Sequence, residues 1–119
     1  MPRFFSEIAT RPARAAQMWQ ILVAKARNRQ TATYSEVADI LGFKGARTLA
    51  PILDYIYRYC SQNKLPLLNV IVVNQESGLP GIGLDIDMNA EREKVFRFDW
   101  YDVVPPAFDE LQAAYKKGA

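Results

Sequence analysis

Residues 31–60, TATYSEVADILGFKGARTLAPILDYIYRYC, constrain this chain most. Thr33-Tyr34-Ser35-Glu36 has the Thr-x-x-Glu spacing of a capping box, in which the two side chains satisfy each other's exposed amides. Val37, Ala38, Ile40 and Leu41 follow, and Gly42 stands where a helix ends in a left-handed turn. Phe43-Lys44-Gly45 connects to a second helix, expected over roughly residues 46–61, with Arg47 near its start. Two helices joined by a tight glycine turn are the layout of a helix-turn-helix. The buried stripe of the second helix is expected to hold Ala46, Leu49, Leu53, Ile56, Tyr57 and Cys60, with Arg47, Asp54 and Arg58 on the opposite face. Pro51 fits only if the regular helix starts near Thr48; any earlier start removes a hydrogen bond and kinks it.

Before this unit, Thr10 can cap a helix with Pro12 in its first turn, over roughly residues 11–28. Ala15, Met18, Trp19, Leu22 and Ala26 fall on one side of it. Phe4, Phe5 and Ile8 are expected to form a short turn packed on the core. After it, the apolar run from Leu67 to Val73 reads as a buried strand. Residues 75–78 read as a turn, and GLPGIG (78–83) as a wing or packing loop, since it lacks the GxxxxGK[ST] pattern of a phosphate loop. Asn89 can cap a helix over roughly residues 90–98, and a last helix, about residues 107–117, follows Pro105-Pro106 and buries Phe108, Leu111 and Tyr115. The expected architecture is mainly α with a small β element, in one domain of 119 residues.

Residue types close off much chemistry. The chain has no histidine and one cysteine, so neither a histidine base nor an internal disulfide exists. Asp85-Ile86-Asp87 lacks the rest of a calcium loop, and Glu91 and Glu93 fall on different sides of a helix. No catalytic residue, metal or cofactor is expected. No run reaches the roughly 20 apolar residues of a membrane span, and the first residues lack a signal peptide's apolar core; the expectation is a cytoplasmic protein without a membrane partner. Charge is uneven: residues 1–64 carry ten Lys/Arg against four Asp/Glu, and residues 65–119 five against nine. The basic half suits phosphates, the acidic half a basic partner protein, and both equally suit plain solvation.

Met18-Trp19-Gln20-Ile21, Thr33-Tyr34-Ser35-Glu36-Val37-Ala38, Ala46-Arg47, Val72-Val73-Asn74 and Glu91-Arg92-Glu93 occur in an order and spacing that resembles the C-terminal winged-helix domain of the O6-alkylguanine-DNA alkyltransferases and, more closely, the alkyltransferase-like proteins. The resemblance covers about residues 15–98, so it implies a winged helix-turn-helix over 11–98 with a C-terminal extension, 99–119, carrying a short helix. It places Tyr34 where the family has a tyrosine that crowds the phosphate of a rotated nucleotide. It places Arg47 where the family has an arginine finger that fills the gap left by a flipped base. Where alkyltransferases carry Pro-Cys-His-Arg, this chain has Leu68-Asn69-Val70-Ile71. Asparagine is no nucleophile and no histidine exists to activate one, while Cys60 reads as a small buried hydrophobe. Alkyltransferase-like proteins also lack the cysteine, and they bind alkylated DNA and signal repair.

The resemblance thus implies a non-enzymatic binder of double-stranded DNA. Its contacts would come from Tyr34, Lys44, Arg47, Thr48 and Arg58, with Arg27 or Arg29 as further phosphate ligands, and its base pocket from Asn69 and Tyr34. The competing expectation is a protein-interaction module, such as a regulator of a nucleic-acid enzyme, using Asp85, Asp87, Asp99, Trp100, Tyr101 and Asp102.

Overall fold

Five helices and a minimal sheet build the molecule, seen here in a computed structural model that describes residues 4–5, 10–75 and 87–118. The helices are α1 (Arg11–Arg27), α2 (Tyr34–Leu41), α3 (Leu49–Gln62), α4 (Met88–Arg97) and α5 (Phe108–Lys117). The strands β1 (Ala32–Thr33) and β2 (Val72–Val73) pair in parallel, Ala32 opposite Val72 and Thr33 opposite Val73. Ile8, the expected turn beyond Gln75, the loop 78–83 and Asp85 lie outside the described residues.

Helix α1 is the centre of the core. Thr10 caps it by accepting from the Ala13 N–H at 3.4 Å, and Pro12 sits in the first turn, where its missing N–H has no partner to lose. Ala15, Met18, Trp19, Leu22 and Ala26 are buried as their spacing predicts. Trp19 meets Trp100 edge to face at 5.6 Å, and Tyr59 likewise at 5.8 Å. The indole N–H of Trp100 donates to the Val95 carbonyl at 2.8 Å, so that burial costs no unpaired donor.

The ends of α1 and α3 share one device. Each finishes on an asparagine, Asn28 or Asn63, whose amide donates back to the carbonyl four residues earlier. The next residue is left-handed, Arg29 at φ 55 and Lys64 at φ 57, although neither is glycine. The following N–H then closes onto the helix, Gln30 to the Lys25 carbonyl and Leu65 to the Cys60 carbonyl, both at 2.9 Å. These bonds satisfy last-turn carbonyls, and a cation there complements the negative helix end.

Several expectations need correction. Residues 68–71 form a buried 3-10 turn, and only Val72–Val73 is strand. A segment threading the core is apolar on every side, so it has the same composition as a buried strand and no period to distinguish them. Glu36 does not turn back to complete the capping box. Its N–H donates to Thr33 Oγ1 at 3.1 Å, but its carboxylate pairs with Lys25 at 2.7 Å, tying α2 to α1. The cap of α4 is Asp87, accepting from the N–H groups of Asn89 and Ala90, rather than Asn89. Ile52 and Tyr55 replace Ala46 and Tyr57 in the buried stripe of α3, because α5 lies along that side. On α5 the buried residues are Leu111 and Ala114, while Phe108 is exposed and Tyr115 half-buried.

Candidate nucleic-acid interface

The pair α2 and α3 meets at the expected turn. Gly42 takes φ 77, and the Phe43 N–H closes onto the Ala38 carbonyl at 2.8 Å. Lys44 and Gly45 stand out into solvent, and Ala46–Thr48 form one 3-10 turn before α3 begins. Pro51 therefore falls in the first turn of α3, where backbone N–H groups have no intrahelical acceptor. The half-buried Pro51 ring is compatible with helix because Arg47, four residues earlier, is outside it.

Arg47 is exposed, as are Lys44 and Thr48. Among the described residues no carboxylate pairs with Arg47, Lys44 or Arg11. Beside Arg47 lies a cavity of about 350 Å³, walled by Tyr34 and Ser35 from α2, Ala46 from the 3-10 turn, Ala50 from the start of α3, and Asn74 and Gln75 after β2. This volume is at the lower end of small-ligand sites, which run from roughly 300 to 1,000 Å³. An aromatic face, a guanidinium and two amides can stack on and hydrogen-bond a flat polar heterocycle. The β1–β2 pairing holds the two sides together, since Thr33 precedes Tyr34 and Val73 precedes Asn74.

Two residues expected at this site sit elsewhere. Arg58 is about three helical turns along α3 from Arg47. Its guanidinium pairs with Asp54 at 3.0 Å, donates to the Tyr115 carbonyl at 3.0 Å and lies over the Tyr115 ring at 4.5 Å. This also takes up the Asp54 charge, which would otherwise oppose a phosphate near α3. Asn69 does not line the cavity. It is 1% exposed in the core, and neither its amide oxygen nor its nitrogen has a hydrogen-bond partner among the described residues. Arg27 and Arg29 are at the far end of α1, where Arg29 forms a two-point pair with Glu93 at 2.8 and 2.9 Å. Arg29 most strongly, and then Arg97, hold the Glu93 carboxyl below the usual carboxylate range.

Ser35, Asn74 and Gln75 were not singled out from the sequence. Asn74 and Ser35 carried a signal, since both fall within family-like segments; Gln75 is an ordinary polar residue with no local mark.

The remaining candidate chemistry is structural. Cys60 is fully buried, and desolvation pushes its thiol up to about 12 from an ordinary 9.0. At neutral pH it stays protonated and out of reach of a substrate. Among the described residues no group of three His, Cys, Asp or Glu side chains is placed to hold a metal. No described helix is long and apolar enough to cross a membrane. In the acidic half, Trp100 is a core residue and Asp87 a helix cap, leaving Tyr101, Asp99 and Asp102 exposed. Comparison with protein-family models, curated proteins and solved structures gives no match.

Proposed function

We infer that the protein is a non-enzymatic DNA-binding protein of the alkyltransferase-like, winged-helix type, contacting duplex through the open edge of its helix-turn-helix. The observation that carries this reading is Arg47: exposed, without an ion-pair partner among the described residues, at the leading edge of the second helix, and forming one wall of a cavity opposite Tyr34. A permanently charged planar group in that position can fill the gap of an extruded base, and the neighbouring cavity can receive the base. Lys44 flanks it with a further cation, while the Thr48 hydroxyl donates to the Gly45 carbonyl at 3.2 Å and would have to leave it to reach a phosphate. Arg58 stays with α5 and takes no part in this interface. The burial of Trp100 removes the largest apolar residue from the surface that the protein-interaction reading needs.

The test is a gel-shift series on plain and O6-alkylated duplex at two salt concentrations, with wild type and Arg47→Ala. Binding that falls steeply with salt is expected, because phosphate contacts release counterions. Arg47→Ala is expected to weaken it, most on the alkylated duplex. Undiminished binding by Arg47→Ala sinks the assigned role.

A further inference from the structure

We propose that the recess between the start of α1 and the α2–α3 turn is a phosphate site, where Arg11, Lys44 and Arg47 hold backbone phosphates of the nucleic-acid strand that crosses α3. This rests on the DNA-binding reading and extends it to a part of the chain outside the helix-turn-helix. The recess has a volume of about 640 Å³, and its walls include Arg11, Arg14, Lys44 and Arg47 but no carboxylate among the described residues. Four cations facing one concavity raise the local potential and concentrate anions there.

The charges are held ready in two different ways. Arg14 is a fixed wall: its guanidinium lies between the Phe5 ring at 4.2 Å and the Phe43 ring at 4.9 Å, and donates to the Leu41 carbonyl at 3.0 Å and to Gln17 at 3.1 Å. Those partners are neutral, so its charge is not cancelled. Arg11, Lys44 and Arg47 are exposed and have no ion-pair partner among the described residues. Elsewhere the cations Lys25, Arg29, Arg58, Lys94 and Arg97 are each matched by a carboxylate. Single exposed cations without an ion-pair partner among the described residues also occur at Arg27, Lys64, Lys116 and Lys117, but the recess gathers three such cations, with Arg14, around one concavity.

Arg47 belongs to both concavities. It therefore stands between a site suited to a base and a site suited to phosphates. A strand whose nucleotide enters the Tyr34 cavity would lay its neighbouring phosphates toward Arg11 and Lys44.

The experiment measures duplex affinity across a salt series for the full chain, the double variant Arg11→Gln with Lys44→Gln, and Lys116→Gln as a cation on α5 that does not line the recess. The expected result is a shallower slope of log affinity against log salt in the double variant, by about one for each phosphate released, and affinity down roughly tenfold per phosphate at about 0.1 M salt. The loss should be equal on plain and alkylated duplex, because phosphate contacts carry no base information. An unchanged slope in the double variant, or an equal change in Lys116→Gln, overturns the site. If wild type binds no duplex, tripolyphosphate is titrated while the amide signals of Gly45 and Thr48 are followed by NMR. Saturable shifts there uphold the phosphate site and overturn only its assignment to DNA; no shifts overturn the site as well.

Discussion

At the C-terminal end of α3, Tyr55 stacks on Tyr115 with ring centres 4.3 Å apart, Arg58 bonds the Tyr115 carbonyl, and Gln62 donates to the carbonyls of Ala114 and Gly118. At its N-terminal end, Arg47, Thr48 and Ala50 face solvent, with no described helix laid over them. One helix thus has a sealed end and an open end, and their polar groups differ accordingly. Arg58 at the sealed end is matched by Asp54 and bonded to the Tyr115 carbonyl, whereas Arg47 and Lys44 at the open end have no ion-pair partner among the described residues. A polar group without an internal partner at a rigid edge is a stronger sign of binding than its residue type alone.

Substitutions at the two ends should separate along that line. Leu111→Ala, which hollows the packing between α5 and the core, is expected to cost about 3 kcal/mol of stability, read as a lowered denaturant midpoint. Its effect on the salt slope of DNA binding should be nil under conditions where it is folded; a loss of slope in the folded variant would join the two ends functionally. Arg58→Ala leaves the Tyr115 carbonyl without its donor and removes the cation over the ring, for an expected loss of about 1–2 kcal/mol. Thermal unfolding measures it, and duplex affinity should be unaltered.

Cys60 gives the sealed end a pH signature. The unfolded chain loses the thiol proton near pH 9, the folded chain only near 12. Between those values the unfolded state binds fewer protons, so stability declines as pH rises through the window and is complete below it. The decline should amount to about 1 kcal/mol by about pH 10, and Cys60→Ala should remove it. Burial raises Tyr55 and Tyr59 as well, so a further decline of the same sign remains at higher pH. A Cys60→Ala variant with an undiminished slope between about pH 9 and 10 would place the thiol in solvent. Smallest of all, Arg47→Ala should change stability by less than about 0.5 kcal/mol, since no carboxylate among the described residues holds it. A larger loss in calorimetry would show that the open end has internal partners after all.

What was legible in the sequence was local. Thr10, Thr33, Gly42 and Pro51 fix helix ends through bonds spanning five residues or fewer, and each does so here. The helical face of α1 was readable because a periodicity of about 3.6 residues is written in the residues themselves. Three things were not. The left-handed Arg29 and Lys64 do the work expected of glycine, so residue type hid the device that closes two helices whose ends, near residues 28 and 61, were themselves readable. Leu68–Ile71 is buried on all sides and shows no period. The approach of Arg11 and Arg14 to the α2–α3 turn joins residues about 30 positions apart; it depends on how α1 packs, which no local pattern encodes. For the same reason Arg58, correctly placed on a helical face, faced α5 rather than open solvent.

Pro51 has a consequence beyond its own turn. Its ring would collide with the Arg47 carbonyl if that residue were wound into α-helix, so α3 cannot lengthen backward over the 3-10 turn. The two windings differ by roughly 20° per residue. Pro51→Ala would let the helix creep upstream and swing the guanidinium around the axis, away from the notch between the two hollows. The imino acid acts as a doorstop: it sets the bearing of a side chain that it need not touch.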